Sequence, residues 1–115
     1  MPTMVMKGVQ VMPITEINEL KDRIVDQLSP LKVYLFGSFA DGTNNEESDF
    51  DFYIVVDDAQ KDLFSLTLQA YRAVRGIKKR PVDIVVGTQS RFEERKLHPT
   101  VESEVYHKGV LLYGA

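Results

Sequence analysis

The sequence predicts an α/β (α+β) protein, a small mixed β-sheet of about four strands with helices packed on it. Three observations carry this. Apolar residues recur at helical spacing over 14–28 and again over 64–74. Apolar runs of strand type occupy 31–36, 49–56, 81–86 and 110–113. The segments follow one another as helix, strand, strand, helix, strand, helix, strand, an order that layers helices on a sheet.

Residues 1–13 end at Pro13 and alternate weakly around Val5, Val9 and Val11. They read as an N-terminal arm, frayed or edge-pairing, ahead of one domain over 14–115. Ile14, Ile17, Leu20, Ile24 and Leu28 share a helical face, and Pro30 stops that helix. Leu31 to Phe36 is a strand ending at Gly37, and the polar stretch Asp41 to Ser48 is a loop. Asp49 to Val56 is a strand with two faces. Period two puts Asp49, Asp51, Tyr53 and Val55 on one side and Phe50, Phe52, Ile54 and Val56 on the other. The second face is expected to be buried while the first presents both carboxylates at the strand's start.

Asp57 is expected to cap the next helix, with Gln60 completing a variant capping box. Phe64, Leu68, Tyr71 and Val74 form its expected buried stripe, and Gly76 ends it. Pro81 opens a strand in which Val82, Ile84 and Val86 face one way and Asp83 and Val85 the other. Ser90 and Glu93 form a second capping signature, predicting a helix from Arg91. A short helix follows Thr100 and ends near Gly109, and Val110 to Tyr113 is a last strand. No internal repeat, low-complexity tract or interdomain linker interrupts this pattern.

The bulk properties narrow the function. A chain of 115 residues forms one domain with a modest core. A hydrophobic content of 43% with 27% charged residues fits an ordinary soluble protein. The net charge of −3 argues against strong nucleic-acid binding, which calls for a basic face. It leaves nucleotides open, because a metal can supply positive charge. Without cysteine, disulfides and cysteine-ligated zinc are excluded. No apolar run reaches the roughly 18 residues of a membrane span. The first residues lack the charged-then-apolar order of a signal peptide, so a cytoplasmic location is expected.

The chemistry is concentrated in residues 37–51, Gly-Ser-Phe-Ala-Asp-Gly-Thr-Asn-Asn-Glu-Glu-Ser-Asp-Phe-Asp, and in Asp83. A glycine lets backbone approach a phosphate, and a serine hydroxyl donates to it. Asp49 and Asp51, two residues apart on a strand, share a face and can bridge magnesium ions. An acidic loop running into a strand would account for that pair alone. Gly37-Ser38 upstream and Asp83 inside a neighbouring apolar strand favour a metal site. Gly37 and Ser38 also suit a plain strand-to-helix turn, which is compatible with holding an anion. Lys78, Lys79 and Arg80 read as a solvated basic turn. His98 and His107 lack ligand spacing and read as ordinary surface or packing residues.

This pattern resembles the nucleotidyltransferase superfamily that includes DNA polymerase beta. More closely it is similar to the minimal nucleotidyltransferases of prokaryotes. The likeness runs from the helix before Leu31 through Gly37-Ser38, Asp49-Phe50-Asp51 and Asp83 to the closing Glu104–Tyr113 segment. The resemblance implies a nucleotidyltransferase fold and transfer of a nucleoside monophosphate, AMP first, from a nucleoside triphosphate to a hydroxyl. It implies Asp49, Asp51 and Asp83 as catalytic residues and ligands of two Mg2+ ions, with Mn2+ an acceptable substitute. It makes Gly37 and Ser38 the nucleotide-binding turn. It also implies a setting, the antitoxin of a toxin–antitoxin pair that adenylylates a tyrosine of a small helical HEPN-type toxin. The sequence departs from the family at Asp41, where a basic residue is common. A carboxylate there repels a triphosphate if it points inward. Two alternatives stand beside this reading, a binding-only antitoxin with weak or no catalysis and transfer to a small molecule, and a homo-oligomer is compatible with any of them. A template-directed polymerase fits neither the chain's size nor its acidity.

Overall fold

A computed structural model of the protein describes residues 13–45 and 47–114. The arm expected over 1–13 lies outside the described residues apart from Pro13. The chain runs α1 (Ile14–Leu28), β1 (Lys32–Phe36), α2 (Ser38–Asp41), β2 (Phe50–Val56), α3 (Leu63–Arg75), β3 (Val82–Thr88), α4 (Gln89–Arg95), α5 (Val101–Lys108) and β4 (Val110–Tyr113). The strands form one sheet in the order β3-β2-β1-β4. β1 runs antiparallel to both β2 and β4, whereas β2 and β3 are parallel, with α3 as their crossover. The mixed four-stranded sheet expected from the sequence is the one found.

α1 buries Ile17, Leu20, Ile24 and Leu28, the face set by their spacing. Ser29 takes a left-handed conformation and its N–H bonds the Val25 carbonyl, closing the helix before Pro30. Against α1 and α3 lie Phe50, Phe52, Ile54 and Val56 of β2, with Val33, Leu35, Val82 and Ile84. Each large side chain fully buried there stabilises the fold by roughly 2 kcal/mol.

The second face of β2 is buried as expected, and beyond Asp51 the first face is covered as well. Tyr53 is 0% and Val55 2% exposed, packed with Phe36, Phe92 of α4 and Val105 of α5. β2 is an interior strand with helices over both faces, so only its first residues reach solvent. Of the stripe predicted for α3, Val74 is buried and Phe64, Leu68 and Tyr71 are not. Ala70 and Val74 are buried with Leu63 and Leu66 beside them, while Phe64 is 74% exposed and Leu68 and Tyr71 lie at the surface. The stripe turns because Leu63 and Leu66 meet the core first. Tyr71 is used instead at the sheet's edge, where its hydroxyl accepts the Ile84 N–H at 2.9 Å.

Two caps fall elsewhere than the sequence signatures indicate. Asp62, not Asp57, caps α3 by accepting the Ser65 N–H at 3.0 Å. Asp57 instead accepts the Ala59 N–H within the preceding turn. Thr88, not Ser90, caps α4, and Ser90 is held by Asp58. α5 and β4 match their predicted limits, with Thr100 as cap and Gly109 at the end.

Candidate active site

The site forms where β1 ends and β2 and β3 begin. β1 stops at Phe36, and Gly37 turns the chain with φ +75° into the single turn of α2. The Ala40 and Asp41 N–H groups both donate to the Gly37 carbonyl. A Cβ at Gly37 would collide with the Asp51 carboxylate, and the positive φ disfavours any other residue. The glycine predicted to let backbone approach phosphate thus also makes room for an aspartate.

Asp51 sits opposite Phe36 of β1 on one side and opposite Asp83 of β3 on the other. The parallel pairing is what brings residues 32 positions apart into register. Asp49 immediately precedes β2 and is half-buried, and Asp83 is exposed. The fold therefore brings Gly37, Ser38, Asp51 and Asp83 to one end of the sheet, with Asp49 at the strand's entry.

The electrostatics follow from that crowding. Burial, and then the negative charges of Asp83, Asp49 and Glu104, push the Asp51 carboxyl up to about 6, and a hydrogen bond with Asp83 acts the same way. Like carboxylates at such a distance resist ionising together. An added divalent cation removes that conflict, and hard oxygen donors suit magnesium or manganese. The donor chemistry and the surplus negative charge fit such an ion. Among the described residues, no group of three or more acidic or histidine side chains is already gathered into a metal-holding cluster. The carboxylates would have to draw together around an ion.

Sequence reasoning did not assign Glu104 of α5, which adds to the negative field at Asp51. Nothing in its local pattern marks it, since only the packing of α5 against the sheet brings it near. Sequence reasoning also missed the support beneath the site. Buried Glu102 accepts the Tyr53 hydroxyl at 2.7 Å and Arg95 Nε at 3.0 Å, with Arg91 Nε at 3.8 Å. Burial acts to raise the Glu102 carboxyl, but these hydrogen bonds outweigh it and hold the group below its usual range.

Asp41 does not face the site with a free charge. Its carboxylate accepts the Thr43 N–H at 3.0 Å and the Thr43 hydroxyl at 2.6 Å, and these bonds hold it below the usual carboxylate range. Arg80 also departs from its predicted role in a solvated turn. Its guanidinium lies 5.1 Å from the Phe39 ring centre and 4.7 Å from that of Phe50, and it pairs with Glu16 at 3.4 Å. It clamps α2 to the start of β2. An open depression beside α5 is lined by Thr100, Ser103, Glu104, His107 and Lys108.

A sheet end that carries a glycine turn and paired aspartates in this fold defines a nucleotidyltransferase. The nucleotidyltransferase domain family matches residues 17–112, and the chain belongs to that family. It is a nucleotidyltransferase enzyme, of a family that generally uses a divalent metal. No curated protein sequence matches it. Solved structures share the fold, among them the following three. A toxin–antitoxin complex with AMP-PNP is similar at 21% identity and TM-score 0.55, over 85% of this chain and 73% of that chain. A Sulfolobus solfataricus protein assigned as a nucleotidyltransferase is similar at 22% and 0.55, over 93% and 91%. Spectinomycin adenyltransferase AAD(9) from Enterococcus faecialis, with ATP and spectinomycin, is similar at 22% and 0.57, over 69% of this chain and 35% of that one. Among the described residues no helix is long and apolar enough to cross a membrane.

Proposed function

We propose that this chain transfers AMP from ATP to a hydroxyl of a partner protein, as the antitoxin of a pair with a small helical HEPN-type toxin. The observation that carries the chemistry is the pairing of Asp51 with Asp83 beside Gly37. The acceptor oxygen attacks the α-phosphorus, its proton passes to Asp83 or water, and the bond to the bridging oxygen breaks to release pyrophosphate. Asp49, Asp51 and Asp83 would hold divalent metal, magnesium first, which would supply positive charge against the triphosphate. Gly37 and Ser38 seat the outer phosphates on the turn that opens α2. Exposed Asp83 stands on the open side, where an incoming hydroxyl arrives.

The partner reading rests on the toxin–antitoxin complex that shares the fold and on the exposure of Asp83. An acceptor carried on a polypeptide brings its own walls, which a shallow site lacks. Incubating the chain with a small helical HEPN-type protein, ATP and magnesium, then weighing that protein intact, tests the proposal. A gain of whole AMP units on a tyrosine supports it. A stable, neutralising complex with no mass gain supports the binding-only antitoxin instead.

A further inference from the structure

The turn at Gly37-Ser38 has the Asp51 carboxylate on one flank and the junction of α5 and β4 on the other. On the β2 side, Asp51 pairs with Phe36. On the β4 side, Leu35 pairs with Val110, and a Cβ added to Gly109 would press on the Leu35 carbonyl at 3.2 Å. The junction of α5 and β4 therefore lies against the end of β1, just ahead of the turn. Lys108 is the last residue of α5, directly before that junction.

Glu104 and Lys108 stand four residues apart and so share a face of α5. Both line the same open depression. Glu104 acts on Asp51, and Lys108 acts on Asp41 at the end of α2, adding to the two Thr43 hydrogen bonds. The charges on this face of α5 are thus felt at Asp51 and at Asp41. Lys108 is exposed, and among the described residues no carboxylate lies within ion-pair distance of it. α2 itself offers no cation, since its only charged residue is Asp41, engaged by Thr43.

Resting on the nucleotidyltransferase reading above, we propose that Lys108 binds the outer phosphates of the nucleotide. It supplies from α5 the positive charge that α2 lacks. The ammonium reaches the phosphates from the side opposite the aspartates, so cations flank the oligophosphate on both sides. Such a contact acts on the β- and γ-phosphates and leaves the α-phosphate to the metal side.

Calorimetric titration of the full chain with ATP, ADP and AMP in magnesium tests this, comparing the unaltered chain with Lys108→Ala and Lys108→Arg. Thermal melts check that each variant folds, and Lys108→Gln stands in if the alanine variant does not. Lys108→Ala should weaken ATP and ADP about tenfold, the loss of one charge-assisted contact to phosphate, and change AMP by less than about twofold. Lys108→Arg should stay within about threefold of the unaltered chain for all three. Unchanged ATP affinity in Lys108→Ala overturns the assignment alone. Equal weakening for AMP and ATP also overturns it, since Lys108 would then not select the outer phosphates. No nucleotide binding by the unaltered chain overturns the transferase reading and this assignment together.

Discussion

Asp51 carries the conflict on which the site depends. Its carboxyl binds a proton more tightly in the folded chain than in the unfolded one, because burial and three neighbouring carboxylates oppose its charge. Folding is therefore favoured while the group is protonated. In chelator, stability should fall as pH rises from about 4, the unfolded value, to about 6, and stay lower above that. Asp51→Asn removes the penalty. Since the group is partly solvated, the expected gain at pH 7 is only about 1–2 kcal/mol, several degrees in Tm. The difference should vanish below pH 4, and nucleotidyl transfer should be lost. Thermal melts of both chains across pH check the first part; a variant no more stable than its parent at pH 7 would remove the electrostatic account. Gly37→Ala should also lose transfer, because its Cβ would displace the Asp51 carboxylate from a backbone that already has positive φ. Transfer close to that of the unaltered chain would show that the turn is not tightly coupled to Asp51.

The elements show where local signals yield to packing. The sequence offered Asp57 and Ser90 as caps, and the structure uses Asp62 and Thr88. Both pairs have suitable oxygens, so the choice falls to where the crossover and the second layer place each helix start. The same layer makes Tyr53 a buried residue. Its hydroxyl donates to Glu102 and fits beside Gly87, where a Cβ would collide with it. Gly87→Ala should therefore cost about 1–3 kcal/mol through overpacking. Tyr53→Phe should cost about 1–2 kcal/mol, since Glu102 would stay buried with one donor fewer. Denaturant titration measures both, and a Tyr53→Phe chain as stable as its parent would mean that the arginines alone satisfy Glu102.

At the scale of the whole molecule, a ligand that binds only the folded chain must stabilise it. Magnesium or manganese at a hundred times its dissociation constant should add about 2.7 kcal/mol. Chelator should reverse the gain, and Asp51→Asn should show little of it. A metal response equal in Asp51→Asn and its parent would place the ion elsewhere. Nucleoside triphosphate should bind weakly without metal, because a triphosphate and three carboxylates repel. Equal ATP affinity with and without chelator would contradict that.

The sequence by itself determined the elements and the chemical inventory. Period-two and helical spacing placed α1, β2, β3, α5 and β4, because those segments are long or sharply bounded by proline and glycine. The Gly-Ser pair and the three aspartates could be named because a motif is local. Tertiary structure decided what depends on distant partners. Parallel pairing of β2 with β3 set Asp83 against Asp51, and a second helical layer buried Tyr53, Val55 and Glu102. It turned α3 so that Phe64 faces solvent, and drew Arg80 onto Phe39 and Phe50. It also brought the charge of Glu104 to bear on Asp51 and that of Lys108 on Asp41. None of these contacts is written in a local pattern, since each joins residues whose separation is closed only when the sheet and its two helical layers assemble.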